Sequence, residues 1–201
     1  MMPALALVAA YLIGAIPFGF LLVKWKTGAD IRASGSGNTG ATNVLRTTGW
    51  MTGAATLALD IAKGYLAVWL AGRLTDGSLT WMAAAALAVM AGHAFPIFLR
   101  GKGGKAVASF TGAFLCLTPL PLAATAVVFV VMVAATRHIS VGSVAGAGAF
   151  PLAVWLISHP SLPVMLAAIV SGVFIIYRHR DNLQRLRAGT ENIFSLRGDG
   201  R

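Results

Sequence analysis

The sequence predicts an all-α, polytopic membrane protein whose residues 1–201 form one domain. Hydrophobic residues make up 57% of the chain and charged residues only 11%, whereas about a quarter of a typical soluble domain is charged. The apolar residues form long blocks rather than periodic stripes, and no linker divides them. Most of the chain is therefore expected to lie in lipid. Its net charge of +10 does not indicate nucleic acid as a partner, because the charges lie between apolar blocks.

Seven apolar segments are candidate membrane-spanning helices. A hydrocarbon core of about 30 Å takes about 20 residues to cross, and the fourth segment is short by that measure. Five or six spans are the alternative, with the fourth segment only half-inserted. The predicted spans are residues 3–23, 51–72, 79–99, 106–118, 120–136, 141–157 and 161–177.

The basic residues predict how these spans are oriented. With the N-terminus outside, all but two of the 16 Lys and Arg residues fall on the inner side, Arg197 and Arg201 among them. The exceptions are Arg73, in an outer loop, and Lys63, inside the second span. Because Lys and Arg accumulate on the cytoplasmic side of membrane proteins, we expect the N-terminus outside and the C-terminus in the cytoplasm.

The first polar segment, residues 34–46, has the composition of an anion-binding loop. Glycines permit positive φ angles, so successive backbone N–H groups can converge on an anion. Arg46 adds a guanidinium that can clamp a phosphate. A flexible hydrophilic loop is the alternative. The candidate contacts are Ser36, Gly37, Asn38, Thr42, Asn43 and Arg46.

The second polar segment, residues 100–105, places glycines and lysines directly before an apolar span. Backbone N–H groups, a helix N-terminus and ammonium charges can together hold a phosphate. The segment is not a P-loop, because Ala106 follows Lys105 where Ser or Thr is required. An ordinary basic loop is the alternative, and His93, just upstream, is expected to be structural. The candidate contacts are Lys102, Gly103, Gly104 and Lys105.

The third polar segment, residues 179–191, contains His179 and Asn182. Their i, i+3 spacing puts them on one helical face at the membrane surface, and His179 is the best-placed general base in the chain. A plain interfacial histidine is the alternative, and the neighbouring arginines could bind lipid headgroups. Glu191 is expected to brace this segment against the basic loops.

Four residues inside or beside the spans complete the candidates. Asp60 and Lys63 are i, i+3 neighbours and costly in lipid unless paired, so we expect them to pair or to line the interior. Ser143 is either a donor to substrate or a helix-start serine. Cys116 is the single cysteine, which excludes an internal disulfide. Its apolar neighbours indicate an inert thiol with no part in catalysis.

The three polar segments resemble, in order, the motifs of the bacterial PlsY family, the integral-membrane glycerol-3-phosphate acyltransferases that use acyl phosphate. The resemblance covers the whole chain. It includes the whole of residues 34–46, Gly-His-x-Phe-Pro and Gly-Gly-Lys within 92–105, and His-Arg-x-Asn to Gly-x-Glu across 179–191. Two departures are Gly101, where the family often has an aromatic residue, and Ala106, where it often has glycine.

The resemblance implies a multi-pass protein of the bacterial inner membrane, with seven spans and a site facing the cytoplasm. The implied reaction transfers a fatty acyl group from acyl phosphate to the sn-1 hydroxyl of glycerol 3-phosphate, giving lysophosphatidic acid and phosphate, the first step of bacterial phospholipid synthesis. Apart from its substrates and the surrounding lipids no partner is implied, and a monomer is expected. The residues implied as critical are Ser36, Arg46, His179 and Asn182, with a phosphate site at Gly103, Gly104 and Lys105.

Acyl phosphate is already an activated mixed anhydride, so no cofactor or metal is expected. The protein has to neutralise two phosphates, support an oxyanion and accept one proton. No histidine is followed by the aspartate of a His-x₄-Asp dyad, so the base is either His179 or a phosphate oxygen of the substrate. Direct transfer is favoured over an acyl-Ser36 intermediate.

A membrane transporter of a small phosphorylated anion is the alternative function. Transporters usually carry inverted repeats and bind their substrates near the midplane. This sequence shows no internal repeat, and its polar segments crowd one face. Only Asp60 and Lys63 favour transport. A lipid-binding scaffold is a weaker third possibility.

Overall fold

The computed structural model describes residues 1–194, and all regular structure in that range is helical. Arg197 and Arg201, used above to predict the topology, lie outside the described residues. Two short 3-10 turns accompany ten α-helices in this range, at Ile31–Ala33 and Ile97–Leu99. The helices are α1 (Met2–Ala15), α2 (Phe18–Thr27), α3 (Ala41–Thr48), α4 (Trp50–Leu74), α5 (Leu79–Ala94), α6 (Val107–Leu117), α7 (Pro119–Thr136), α8 (Ile139–Ser158), α9 (Leu162–Arg178) and α10 (Arg180–Arg187).

The predicted fold class is confirmed, and each predicted span is largely helical. Within residues 1–194, five segments are long and apolar enough to cross a membrane: α1 with α2, α4, α5 with its following turn, α7 and α8. Helix α9 joins them as a sixth only together with α10, across a bend of 49°. Helix α6 has 11 residues, fewer than a bilayer requires. The count of seven spans and the orientation of the termini stay predictions.

The first span differs from its prediction, because it is broken between α1 and α2. Pro17 has no N–H to continue the helical ladder, so the chain is interrupted after Ile16. The Nζ atom of Lys63 donates a hydrogen bond to the Ile16 carbonyl at 2.8 Å. A side chain from α4 thereby satisfies a backbone group that the break releases.

Glycines allow close approach of α4 and α6. A Cβ atom added to Gly112 would lie 1.8 Å from the Ile61 carbonyl oxygen, and one added to Gly64 would lie 2.2 Å from that of Ser109. Membrane helices commonly meet through such small residues, because lipid tails leave little hydrophobic driving force between helices. The two backbones therefore touch over a face where any larger side chain would separate them.

An aromatic cluster fixes the short helix α6 against α8. The ring centroids of Phe110, Phe114 and Phe150 lie 4.7 to 4.9 Å apart, in tilted and edge-on arrangements. Such pairs contribute about 0.5–1.5 kcal/mol beyond the area they bury. Helix α6 thus packs against both α4 and α8. These contacts fix the position at which the preceding loop ends.

Candidate active site

The three polar segments meet at a cavity of about 410 Å³, a size suited to a small-molecule site. Helices α3, α4, α6, α8 and α10 contribute to its walls. Four of the predicted site residues lie outside its lining: Gly37, Lys102, Gly103 and Gly104. Those that line it are Ser36, Asn38, Thr42, Asn43, Arg46, Lys105, Ser143, His179 and Asn182.

Asn43 organises the loop that leads into α3. Its Oδ1 accepts the backbone N–H of Ser36 at 2.9 Å, and its Nδ2 donates to the carbonyls of Ser34 at 3.0 Å and Asn38 at 2.8 Å. Both amide hydrogens of this buried side chain are therefore used inside the loop. Asn43 thus has no free side-chain N–H for the predicted donation to a substrate. Its side chain instead fixes the shape of the loop.

Three of the backbone N–H groups in this segment are engaged inside the loop. The N–H of Ser36 is held by Asn43, that of Gly37 by the Ser34 carbonyl at 3.1 Å, and that of Gly40 by the Asn38 side chain at 2.8 Å. These donors are turned inward because each closes a turn of the loop. The backbone N–H groups of Ala41 and Thr42, at the start of α3, line the cavity and have no acceptor among the described residues, and the Arg46 guanidinium is the charged donor of this segment in the lining.

The glycine loop after α5 also differs from its prediction, because it folds onto the end of the helix. Gly103 donates its N–H to the Ala94 carbonyl at 3.2 Å, and Gly104 donates to the His93 carbonyl at 3.1 Å. Carbonyls in the last turn of a helix have no partner within it. The two glycines cap α5 and do not form a phosphate site of backbone donors.

Lys105 is the one predicted residue of this segment that lines the cavity. Its ammonium donates to Oδ1 of Asn182. Burial lowers the pKa of Lys105 to about 8; the charges of Arg185 and Arg46 add to that effect, and Glu191 opposes it. At neutral pH the side chain is mostly protonated and can hold an anion.

His179 is buried, with one ring nitrogen already assigned. Its Nδ1 lies 2.8 Å from the Ile175 carbonyl oxygen, which can only accept, so Nδ1 carries the proton and Nε2 the lone pair. Burial lowers the pKa of His179 to about 4, and the charge of Lys105 contributes to the shift. The imidazole is therefore neutral at physiological pH and is a weak base there.

Glu191 joins three elements at the rim of the cavity. Its carboxylate accepts hydrogen bonds from Ser140 at 2.9 Å, Asn182 at 2.6 Å and Arg185 at 2.9 Å. Burial alone would raise the pKa of this carboxyl, but these hydrogen bonds outweigh it and hold the pKa below its usual value. Glu191 thereby links α10 to the start of α8 and fixes the amide that contacts Lys105, whereas its expected bracing against the basic loops stays a prediction.

The cavity lining also contains Ser140, His93 and Asp60, polar residues that were not predicted as site residues. Ser140 lies one helical turn before Ser143, a spacing that could have indicated it. The Ser143 hydroxyl donates to the Ile139 carbonyl at 2.9 Å, the i−4 bond of a serine inside a helix, so Ser143 is not the helix-start serine that was the alternative. Asp60 pairs with Lys63 at 2.7 Å, which confirms the predicted ion pair.

The remaining cavity wall is apolar and reaches the outer surface of the bundle. Leu57, Val107 and Phe129 line it, and Leu57 is 46% exposed. Trp50, at the start of α4, is also exposed beside the cavity. An apolar chain can therefore leave the cavity sideways while a polar head stays near Arg46 and Lys105.

Fold and cavity together define a multi-pass membrane protein with a cavity that is cationic on one side and apolar on the other. A family model described as glycerol-3-phosphate acyltransferase matches residues 4–189. The glycerol-3-phosphate acyltransferase of Geobacter sulfurreducens is 46% identical over 185 residues, which are 92% of this chain and 94% of that protein. That of Geotalea daltonii is 43% identical over 188 residues, 94% and 95% of the two chains. The chain belongs to the glycerol-3-phosphate acyltransferase family and is an enzyme.

Two solved structures share this fold. The crystal structure of PlsY (YgiH), an integral membrane glycerol 3-phosphate acyltransferase, in its glycerol 3-phosphate form has a TM-score of 0.91 at 34% identity, covering 97% of this chain and 96% of that one. Its lysophosphatidic acid form has a TM-score of 0.88 at 32% identity, with coverage of 98% and 97%. The resemblance to the PlsY family is thereby confirmed, whereas the roles of the individual site residues stay predictions.

Proposed function

We propose that this enzyme transfers a fatty acyl group from acyl phosphate to the sn-1 hydroxyl of glycerol 3-phosphate. The observation that carries the proposal is the two-sided cavity, which has Arg46 and Lys105 on its polar wall and an opening to lipid on its apolar wall. The related PlsY has been solved with glycerol 3-phosphate and in a lysophosphatidic acid form. A substrate phosphate and an acyl chain can occupy the two sides together.

The charges in the cavity support a phosphorylated acyl donor. Arg46 and Lys105 both line the cavity, and Arg185 lies close enough for its charge to lower their pKa values. Glu191 is the opposing carboxylate and is held by hydrogen bonds, one of them from Arg185. The excess of cations suits two phosphate groups, one on each substrate.

The reaction forms one bond and breaks one bond. The sn-1 hydroxyl oxygen attacks the acyl carbonyl carbon, the bond between that carbon and the phosphate oxygen breaks, and phosphate leaves with the bonding pair. The hydroxyl proton has to pass to a base. His179, whose pKa is about 4, is less basic than a phosphate monoester, whose second pKa is about 6. We therefore assign the proton to a substrate phosphate oxygen, with His179 and Asn182 orienting the hydroxyl.

Ser36 favours direct transfer over an acyl-enzyme. A serine nucleophile needs an adjacent base within hydrogen-bond reach. Among the described residues, no base hydrogen-bonds the Ser36 hydroxyl, and its backbone N–H is held by Asn43. The hydroxyl remains available as a donor to the acyl phosphate.

We further propose that the cavity faces the cytoplasm from the bacterial inner membrane, which the inner-side excess of basic residues supports. The transporter alternative loses its one favourable feature, because Asp60 and Lys63 neutralise each other. With the cavity facing the cytoplasm, glycerol 3-phosphate enters from the cytosol and the acyl chain enters from the lipid.

The direct test supplies purified enzyme with labelled glycerol 3-phosphate and, in parallel, with acyl phosphate, acyl-CoA or acyl carrier protein thioester. We expect labelled lysophosphatidic acid and stoichiometric phosphate from acyl phosphate alone. Product from a thioester at an equal or higher rate would overturn the donor assignment.

Lys105→Gln, compared with Lys102→Gln, tests the site within the same assay. Lys105 lines the cavity, whereas Lys102 is exposed outside it, three residues away. Losing one charge-assisted hydrogen bond costs about 1.5–3 kcal/mol, so the Lys105 variant should raise the KM of a phosphorylated substrate by about 10- to 150-fold. The Lys102 variant should leave it unchanged.

A further inference from the structure

A buried ion pair lies in the interior of the helix bundle and has no part in the reaction proposed above. Asp60 is 2% exposed and Lys63 is 4% exposed, with 2.7 Å between Nζ and Oδ1. Replacing such a pair by apolar residues is often neutral or stabilising, so a buried ion pair is weak evidence for stability. Another reason for the ion pair is indicated by the residues that it contacts.

The ion pair contacts a backbone carbonyl on its Lys63 side and an imidazole ring on its Asp60 side. The Lys63 ammonium also donates to the Ile16 carbonyl at the break between the first two helices. On the opposite side, Oδ1 of Asp60 lies 3.6 Å from Nδ1 of His93. No residue among those described hydrogen-bonds this ring nitrogen, and the Asp60 carboxylate is the charged group that faces it.

His93 in turn supports the glycine loop. Its carbonyl accepts the N–H of Gly104, and its ring fills the space beside the Gly104 Cα, where a Cβ atom would come within 2.1 Å of Nε2. A Cβ atom on Gly103 would lie 2.2 Å from the same carbonyl oxygen. The loop can rest on His93 only because both residues are glycine, and the next residue along the chain is Lys105.

We propose that Asp60, Lys63 and His93 form a positioning device for Lys105. The device extends the proposed function, because Lys105 is the phosphate-binding cation of that reaction. The ion pair fixes the imidazole ring, the ring and carbonyl of His93 fix Gly104, and Gly104 sets the direction in which the Lys105 side chain enters the cavity. None of the three needs to exchange a proton for this role.

A double-mutant cycle between His93 and Lys105 tests the route of the effect. Enzymes with His93→Gln, Lys105→Gln and both changes are compared by KM for each phosphorylated substrate, kcat and melting temperature. We expect His93→Gln to raise the same KM that Lys105→Gln raises, by about 10-fold, and to have no further effect in the Lys105→Gln background. Independent effects that multiply would overturn the proposal.

The paired variant Asp60→Asn with Lys63→Gln separates positioning from stability. Neutralising one partner leaves a buried charge and destabilises the protein, whereas neutralising both avoids that penalty. The amide introduced by Lys63→Gln also keeps an N–H donor for the Ile16 carbonyl. We therefore expect a nearly wild-type melting temperature together with a raised KM. A wild-type KM in this stable double variant would mean that the ion pair serves only the fold.

Thr56→Val is the matched control. Thr56 is buried on the same helix as Asp60, and its hydroxyl bonds back to Thr52 at 2.8 Å. This variant should leave both KM values unchanged, and a rise equal to that of His93→Gln would show a general effect of altering the core.

Calorimetric titration of each variant with glycerol 3-phosphate, and with inorganic phosphate, keeps the test independent of the acyl donor. If wild-type enzyme rejects acyl phosphate, the donor assignment fails, whereas a weakened phosphate affinity in the His93 variant still supports the positioning device. Unchanged affinities for both ligands in that variant, with Lys105→Gln weakened, would contradict it.

Discussion

Two ionisable side chains in the cavity have pKa values that differ from their usual values for the same main reason. Burial disfavours the charged form of a base, so it lowers the pKa of Lys105 to about 8 and that of His179 to about 4. Lys105 nevertheless stays charged at neutral pH, while His179 stays neutral well below it. One residue therefore serves as a cation and the other as an uncharged hydrogen-bonding group.

The pKa of Lys105 predicts an alkaline loss of substrate capture. Lys105 is protonated below its pKa of about 8 and loses its charge as the pH rises through that value. We expect kcat/KM for the substrate that Lys105 binds to fall between about pH 7 and pH 9, because kcat/KM reports the free enzyme. Lys105→Arg should remove this fall, since Arg keeps its charge over the whole range. An identical alkaline limb in that variant would assign the titration to another group.

His179 predicts a different pattern on substitution. Loss of a hydrogen bond from His179→Ala should reduce kcat by about 2- to 13-fold, and the loss of a general base would reduce it by about 10²–10⁴-fold. His179→Gln can still hydrogen-bond but cannot accept a proton at neutral pH. Recovery of most of the turnover in the Gln variant supports the orienting role. An equal, large loss in both variants would make His179 the base.

At the scale of elements, the helix contacts depend on glycine where two backbones touch. Gly112→Ala places a methyl group against the Ile61 carbonyl in the interface of α4 and α6, and such overpacking costs about 1–3 kcal/mol. Gly148→Ala on α8 is the control, because its nearest neighbour is a side-chain atom at 4.0 Å. Thermal unfolding in detergent should show a lower melting temperature for the first variant. The second should be unchanged or slightly more stable, because Ala favours a helix.

The helices could be predicted from the sequence, and the two glycine loops could not. Apolar blocks of about 20 residues indicate spans directly, because lipid requires them. The N–H groups of Gly103 and Gly104 could equally bind a phosphate or cap a helix. That choice depends on how the chain turns after Phe95, which brings the carbonyls of His93 and Ala94 within reach. Composition reveals the flexibility of a glycine but not the partner of its N–H.

The candidate site was largely predictable for a related reason. Once the spans are removed, few polar residues remain, so Arg46, Lys105 and His179 stand out. Their common cavity confirms that they lie together, although their roles stay predictions. Ser140 was missed because a single serine at the start of an apolar span shows no sign of which face of the helix it occupies.

At the scale of the whole molecule, the orientation in the membrane is the main open prediction. We expect the N-terminus outside and the C-terminus in the cytoplasm, because basic residues favour the inner side. The test uses a Cys116→Ser background, which should keep most of the activity because that thiol lies outside the cavity lining. Single cysteines introduced near each terminus are then labelled with an impermeant reagent. Labelling of both from the same side would exclude an odd number of spans.

Glu191 has a consequence for how the enzyme is made. The walls of the cavity run from Ser36 to Glu191 and beyond, and that carboxylate holds both Asn182 and Ser140 in place. A ribosome delivers residues in order, so most of the helices enter the bilayer before Glu191 has been translated. Until then the nascent protein can shelter an acyl chain but cannot orient the groups that act on it. We therefore expect activity to begin only near the end of synthesis, and a chain terminated before Glu191 to show no acyl transfer.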